Sequence, residues 1–132
     1  MKQRTLGDGL TVSAIGLGCM SYGRPGAGLH RWTLDEEAAA PLFRQAVELG
    51  VTFWDTANVY QGGTSEEYVG RAITRFSRRE DIVLATKVHG RMHDGPNGQG
   101  LSRKAIMAFQ AQAGLTQDGH PSMEVLKSLR RQ

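Results

Sequence analysis

The sequence predicts an α/β fold of consecutive strand and helix units with parallel strands, and three observations carry that prediction. Stretches with apolar residues at helical spacing alternate with short β-rich runs. The run IVLATKV at residues 82–88 is continuous and β-branched, as expected of a parallel strand covered on both faces. The connections are short, and right-handed crossovers between such units set the strands parallel. A chain of 132 residues suits one small domain with a modest core and leaves no room for a second.

Residues 4–6 and 11–15 read as a hairpin with Asp8 and Gly9 as a two-residue turn. The segment IGLGCM at 15–20 reads as a strand that ends in a long loop holding Tyr22, Pro25 and Trp32. Thr33 and Glu36 have capping-box spacing, and Ala39, Leu42, Phe43, Ala46 and Val47 recur at helical intervals up to Gly50, a C-cap. Pro41 leaves two versions of that helix, one starting near Ala40 and one kinked there. Residues 51–57, VTFWDTA, form a buried strand. Thr64 and Glu67 repeat the capping-box spacing before a helix with Tyr68, Val69, Ala72, Ile73 and Phe76 on one face. The strand at 82–88 follows, with Lys87 out of place in an apolar run. Near the end, Ser122 caps a short helix at 122–131, unless that stretch is a shifted-frame or spliced-in peptide with chance amphipathicity.

Glycine numbers 17 and clusters at 7–28 and 90–100, which suggests close turns or ligand loops. The net charge of +3 is spread along the chain, and Arg71, Arg75, Arg78 and Arg79 lie around one helix end, where cations complement the dipole; nucleic acid is not an expected partner. The single cysteine, Cys19, excludes an internal disulfide and reads as a small apolar residue. There is no signal-peptide core and no apolar run near the ~20 residues of a membrane helix, so a soluble cytoplasmic protein is expected. In GLGCMS, Ser21 stands at the third glycine position of a dinucleotide fingerprint. His89 and His93 lie four apart in a glycine-rich loop and read as solvated, and no metal is expected.

Asp55 and Lys87 sit at the carboxyl ends of their strands, where α/β folds place ligands. Taken singly, Asp55 reads equally as a turn former, Lys87 as a snorkelling edge residue and Tyr60 as a packed loop aromatic. Together they describe a proton donor. A phenol titrates near pH 10, and an adjacent ammonium stabilises the phenolate. Lys87 would supply that charge, Asp55 would hold Lys87, and Tyr60 would act as general acid toward a carbonyl oxygen. The hydride donor such a reaction requires is a cofactor.

The segments LTVSAIGLGCMSYG, GVTFWDTANVYQGGTSEEYVGRAI and DIVLATKV resemble the N-terminal part of the aldo/keto reductase family. GLSRKAIM, a loop after the third strand, resembles bacterial members related to aryl-alcohol dehydrogenases. The resemblance runs over residues 1 to 107, with 108–132 a divergent tail. It implies a (β/α)8 barrel that reduces aldehydes and ketones with NADPH, and catalytic roles for Asp55, Tyr60 and Lys87 beside a fourth, histidine, partner. Gly18, Cys19 and Met20 match a loop beside the cofactor in relatives. His120, in DGHPS, has no apolar strand before it and is not assigned the fourth role. A barrel takes ~250 residues and eight strands. The expectation is therefore a truncated, unclosed barrel of about three units with little or no activity alone, lacking the last units from which relatives hold the adenosine phosphate. The alternatives are an interaction module that self-associates through its open sheet edge and a non-functional gene remnant.

Overall fold

The computed structural model describes residues 1–28, 30–96, 98–112 and 116–118. The chain divides into two compact units, Met1–Thr86 and Lys87–Gln132.

The first unit opens with a hairpin of β1 (Gln3–Leu6) and β2 (Leu10–Ser13). Leu6 pairs with Leu10, so the turn has three residues, Gly7 to Gly9, rather than two. Gly7 and Gly9 both take positive φ, which is why the pair of glycines and not Asp8-Gly9 alone makes the turn. Ser13 ties the hairpin to the amino end of the main sheet: its Oγ accepts from the amides of Thr52 and Phe53, and its own amide donates to Thr52 Oγ1.

The main sheet is parallel, in the order β3 (Gly16–Gly18), β4 (Phe53–Asp55), β5 (Val83–Ala85). The strands are shorter than the apolar runs predict: Thr52 and Thr56 still bond the neighbouring strand through backbone groups, but residues 51, 57 and 82 are buried outside the strands. Strand alternation separates two faces. Leu17, Trp54 and Leu84 share one row and turn toward the helices; Gly18, Asp55 and Ala85 share the next row, on the opposite face.

Helix α1 (Glu36–Glu48) starts at Asp35, whose carboxylate accepts from the Ala38 amide. Asp35 therefore caps the helix, and Thr33 is instead buried with its hydroxyl on the His30 carbonyl. The helix runs through Pro41 without a break. The proline lies in the second turn on an exposed face, where the Glu37 carbonyl it leaves without a helix donor faces solvent. Gly50, at φ 74, closes the carboxyl end. Helix α2 (Thr64–Phe76) follows β4 and a 3-10 turn, Tyr60–Gly63. Its cap position is Gly63, and Thr64 is the first helical residue, so the second capping box also fails by one residue.

Phe43 of α1 stacks on Trp54 of β4 at 5.3 Å and lies 4.6 Å from the Tyr22 ring. Val69 and Ile73 of α2 complete that core, and the Trp54 indole donates to the Val51 carbonyl. Tyr22 is a core residue, and burial, with Cys19 adding to it, pushes its phenol above the ordinary value.

In the second unit, residues 89–96 and 98–100 lie in a turn-rich segment in which Met92 bonds to Gly98 and Gly100 to His89 through backbone groups. Helix α3 (Arg103–Gln112) follows, so GLSRKAIM is largely helical rather than a loop. The helix expected at 122–131 and His120 lie outside the described residues. Among the described residues no helix is long and apolar enough to cross a membrane.

Candidate functional site

The carboxyl end of the parallel sheet gathers the chemistry of the first unit. Asp55 is the last residue of β4, half-buried, between Gly18 of β3 and Ala85 of β5. Its ladder neighbours on both sides are small, and a Cβ added at Gly18 would meet nothing within 4 Å. The backbone at this end is tightly set. Cys19 N–H donates to the Asp55 carbonyl at 2.8 Å, and Thr56 N–H to the Ala85 carbonyl at 2.9 Å.

Below that row runs a chain of buried hydroxyls. Ser65, the second residue of α2, donates to the Cys19 carbonyl at 2.7 Å and lies 3.1 Å from Thr56 Oγ1. Three neighbouring elements, the end of β3, the end of β4 and the start of α2, are thereby pinned together. Thr86, after β5, brings in a fourth element through its hydroxyl, which donates to the Glu66 carboxylate at 2.5 Å.

Tyr60 opens the 3-10 turn, half-buried, its amide on the Ala57 carbonyl. Gln61 follows at φ 48, a left-handed conformation unusual for a side chain of its size, and is 3% exposed. The loop after β3 closes over it. A Cβ on Gly23 would lie 2.6 Å from Gln61 Cβ, and one on Gly28 would strike Gln61 Oε1. Arg24 N–H donates to Thr64 Oγ1, which in turn donates to the Gln61 carbonyl. Gln61 Oε1 and Asn58 Oδ1 are buried without a hydrogen-bond partner among the described residues.

The residues that sequence reasoning singled out fall as follows. Asp55 and Tyr60 lie at the same end of the sheet, one closing the strand and the other opening the turn that leads to α2. Lys87 is exposed and is the first residue of the second unit, two residues along the chain from Ala85. Gly18 and Met20 are exposed, whereas the Cys19 side chain is wholly buried in the core with its amide and carbonyl both engaged. His89 and His93 are exposed. Among the described residues no group of three or more His, Cys, Asp or Glu side chains is placed to hold a metal ion.

Sequence reasoning missed Gln61, Ser65, Thr56 and the pair of Glu66 with Thr86. The signal available for two of them, Ser65 and Glu66, was TSEE at the start of α2, read as capping chemistry, when its second and third residues turn toward the strand ends.

Residues 14–115 match the aldo/keto reductase family. The chain is 38% identical over 126 residues to versiconal hemiacetal acetate reductase of Aspergillus parasiticus, covering 81% of this chain and 36% of that protein. It is 42% identical over 86 residues to an aryl-alcohol dehydrogenase [NADP(+)] of Phanerodontia chrysosporium, covering 65% of this chain and 22% of that one. Among solved structures, the holo form of aldo-keto reductase AKR11C1 from Bacillus halodurans superposes with a TM-score of 0.65 at 34% identity, over 98% of this chain and 37% of its own. The chain thus spans between 22% and 36% of the length of these curated relatives. Its fold is a partial (β/α)8 barrel whose sheet is not closed.

Proposed function

Because the chain belongs to the aldo/keto reductase family, we propose that it carries the first units of an NADPH-dependent oxidoreductase acting on small aldehydes or ketones. The observation that supports this reading most is the setting of Asp55. It is a carboxylate at the carboxyl end of a central parallel strand, flanked by glycine and alanine, with Tyr60 opening the turn that follows. That end of the sheet is where barrels of this kind do their chemistry.

In this reading Tyr60 gives its phenolic proton to the carbonyl oxygen as the carbon is reduced. The Lys87 ammonium stabilises the phenolate left behind, and the Asp55 carboxylate holds that ammonium in place. A nicotinamide, when bound, supplies the hydride. Gly18 and Met20, both exposed, would offer surface to that ring, with the buried Cys19 holding the loop from behind. Since relatives draw on a much longer chain, these 132 residues on their own are expected to turn substrate over slowly or not at all. Positioning of reactants is a large share of rate enhancement, and most of the barrel that does the positioning lies in the other units.

The test is NADPH oxidation with a panel of small aldehydes and ketones, beside cofactor binding followed by fluorescence. Any turnover should fall about a hundredfold or more in Tyr60→Phe while cofactor affinity stays within about two-fold. Equal rates in the two proteins would remove Tyr60 from the proposed role. No binding at millimolar cofactor would remove activity from this stretch of chain and leave only the family membership.

The two outer strands favour a second reading, in which the sheet pairs with another chain. β3 and β5 each present an edge without a ladder partner among the described residues.

A further inference from the structure

Helices α1 and α2 lie side by side, and the charges along their contact are not all balanced. Arg71 holds Glu36 across the two helices through two hydrogen bonds of 2.6 and 2.9 Å, and beyond the end of α2 Arg78 holds Asp81 through two of 2.9 and 2.8 Å. One turn further along, Ala40, Pro41, Arg44, Arg75 and Phe76 line an open groove of about 290 Å³. Here the guanidinium carbons of Arg44 and Arg75 lie over the same Phe76 ring, 5.2 and 5.0 Å from its centroid. Both arginines are exposed, and among the described residues neither is in an ion pair. Glu36, whose carboxylate also feels Arg75, is committed to Arg71.

Both guanidinium groups lie over one ring, and an arriving carboxylate can accept charge-assisted hydrogen bonds from them. Phe76, Pro41 and Ala40 offer an apolar floor to whatever side chain lies next to the carboxylate. We propose that this groove is a docking site for an acidic peptide segment of a partner protein, one that sets a carboxylate beside an aliphatic or aromatic residue. The charge balance selects the occupant. This chain carries a net +3, which favours an acidic partner over a second copy, and residues 121–132 hold Lys127, Arg130 and Arg131 against Glu124 alone. The groove lies on the helices and away from the carboxyl ends of the strands, so it is independent of carbonyl chemistry.

The experiment is an NMR titration of the full chain with the blocked peptide Glu-Phe-Glu-Glu-Leu and with its counterpart carrying glutamine at each acidic position. The Nε–H signals of Arg44 and Arg75 and the Phe76 ring signals should shift and saturate with the acidic peptide only. Arg44→Gln and Arg75→Gln should each weaken binding about five-fold, the scale of an exposed ion pair. Arg44→Lys, which keeps the charge, should hold affinity within about two-fold. Amide dispersion equal to that of the parent chain identifies variants that keep the fold. Equal affinity for the two peptides overturns the proposal. So do shifts confined to other arginines, or phenylacetate binding as tightly as the peptide, which would make the groove a site for small carboxylates.

Discussion

Gly23 is the position where a single added methyl should be felt most. It is buried at φ 145, and a Cβ there would lie 2.6 and 2.8 Å from Gln61 carbons and 2.9 Å from Thr64 Oγ1. Overpacking and the unfavourable φ each cost on the order of 1–2 kcal/mol, so Gly23→Ala should lose about 2 kcal/mol or more of stability. Gln61→Gly in the same chain should recover a good part of it, because it removes the two closest atoms and relaxes a left-handed φ of 48. Urea midpoints of the two single variants and the double variant decide this. Strictly additive losses would show that the loop does not press on Gln61. The consequence reaches function through the chain, since Gln61 is the residue after Tyr60. Asp55 at a strand end was legible in the sequence because an apolar run breaks at a carboxylate. Gln61 was not, because a glutamine in a glycine-rich stretch ordinarily lies in solvent and only the fold shows that Gly23 and Gly28 cover it.

At the scale of elements, α1 and α2 are joined across their surfaces by Glu36 and Arg71. The Arg71 hydrogen bonds hold the Glu36 carboxyl below its usual range, with burial opposing and the nearby Arg71 and Arg75 charges adding to the effect. A carboxyl whose folded value is depressed stabilises the fold above the unfolded value, near pH 4.3, and loses that contribution as pH falls through the folded one. Both side chains are about half exposed, at 48% and 52%, so screening limits the pair to about 0.5 kcal/mol. Glu36→Gln should therefore be slightly less stable than the parent at pH 7 and equal to it near pH 2, in chemical unfolding at low salt. A gap unchanged at acid pH would mean that packing and not charge joins the helices. The helices themselves were legible from their apolar spacing, yet both starts were misjudged. Asp35 caps the first because a carboxylate two residues beyond Thr33 reaches the Ala38 amide, and Thr33 is drawn into the long loop instead. The sequence allows Pro41 as a start or a kink, and the exposed face of the second turn accommodates it as neither. α3 escaped notice because Arg103 and Lys104 follow a glycine-rich stretch and the apolar spacing after them is weak.

For the whole molecule, the order of the sheet follows from the alternation of strands and helices, and β4 lies between β3 and β5 as successive right-handed crossovers require. Sequence length bears on the unclosed sheet as well, since three parallel strands cannot close a barrel that takes eight. What periodicity does not reveal is how the edges are treated. β3 is bordered by Ile15, 60% exposed, and its own residues Gly16 and Gly18 put no side chain in the way of an approaching strand. Natural edges of this kind are usually blunted by charge, proline or a covering element. The chain should therefore self-associate as its concentration rises. Ile15→Lys, which puts a charge beside the edge without touching the core, should weaken that association several-fold. Sedimentation velocity over about a hundredfold range of concentration measures both. A monomer throughout would eliminate the pairing reading and leave the carbonyl chemistry at Asp55 and Tyr60 as the one to pursue. Association unaffected by Ile15→Lys would place the contact elsewhere, with β5 the next edge to block.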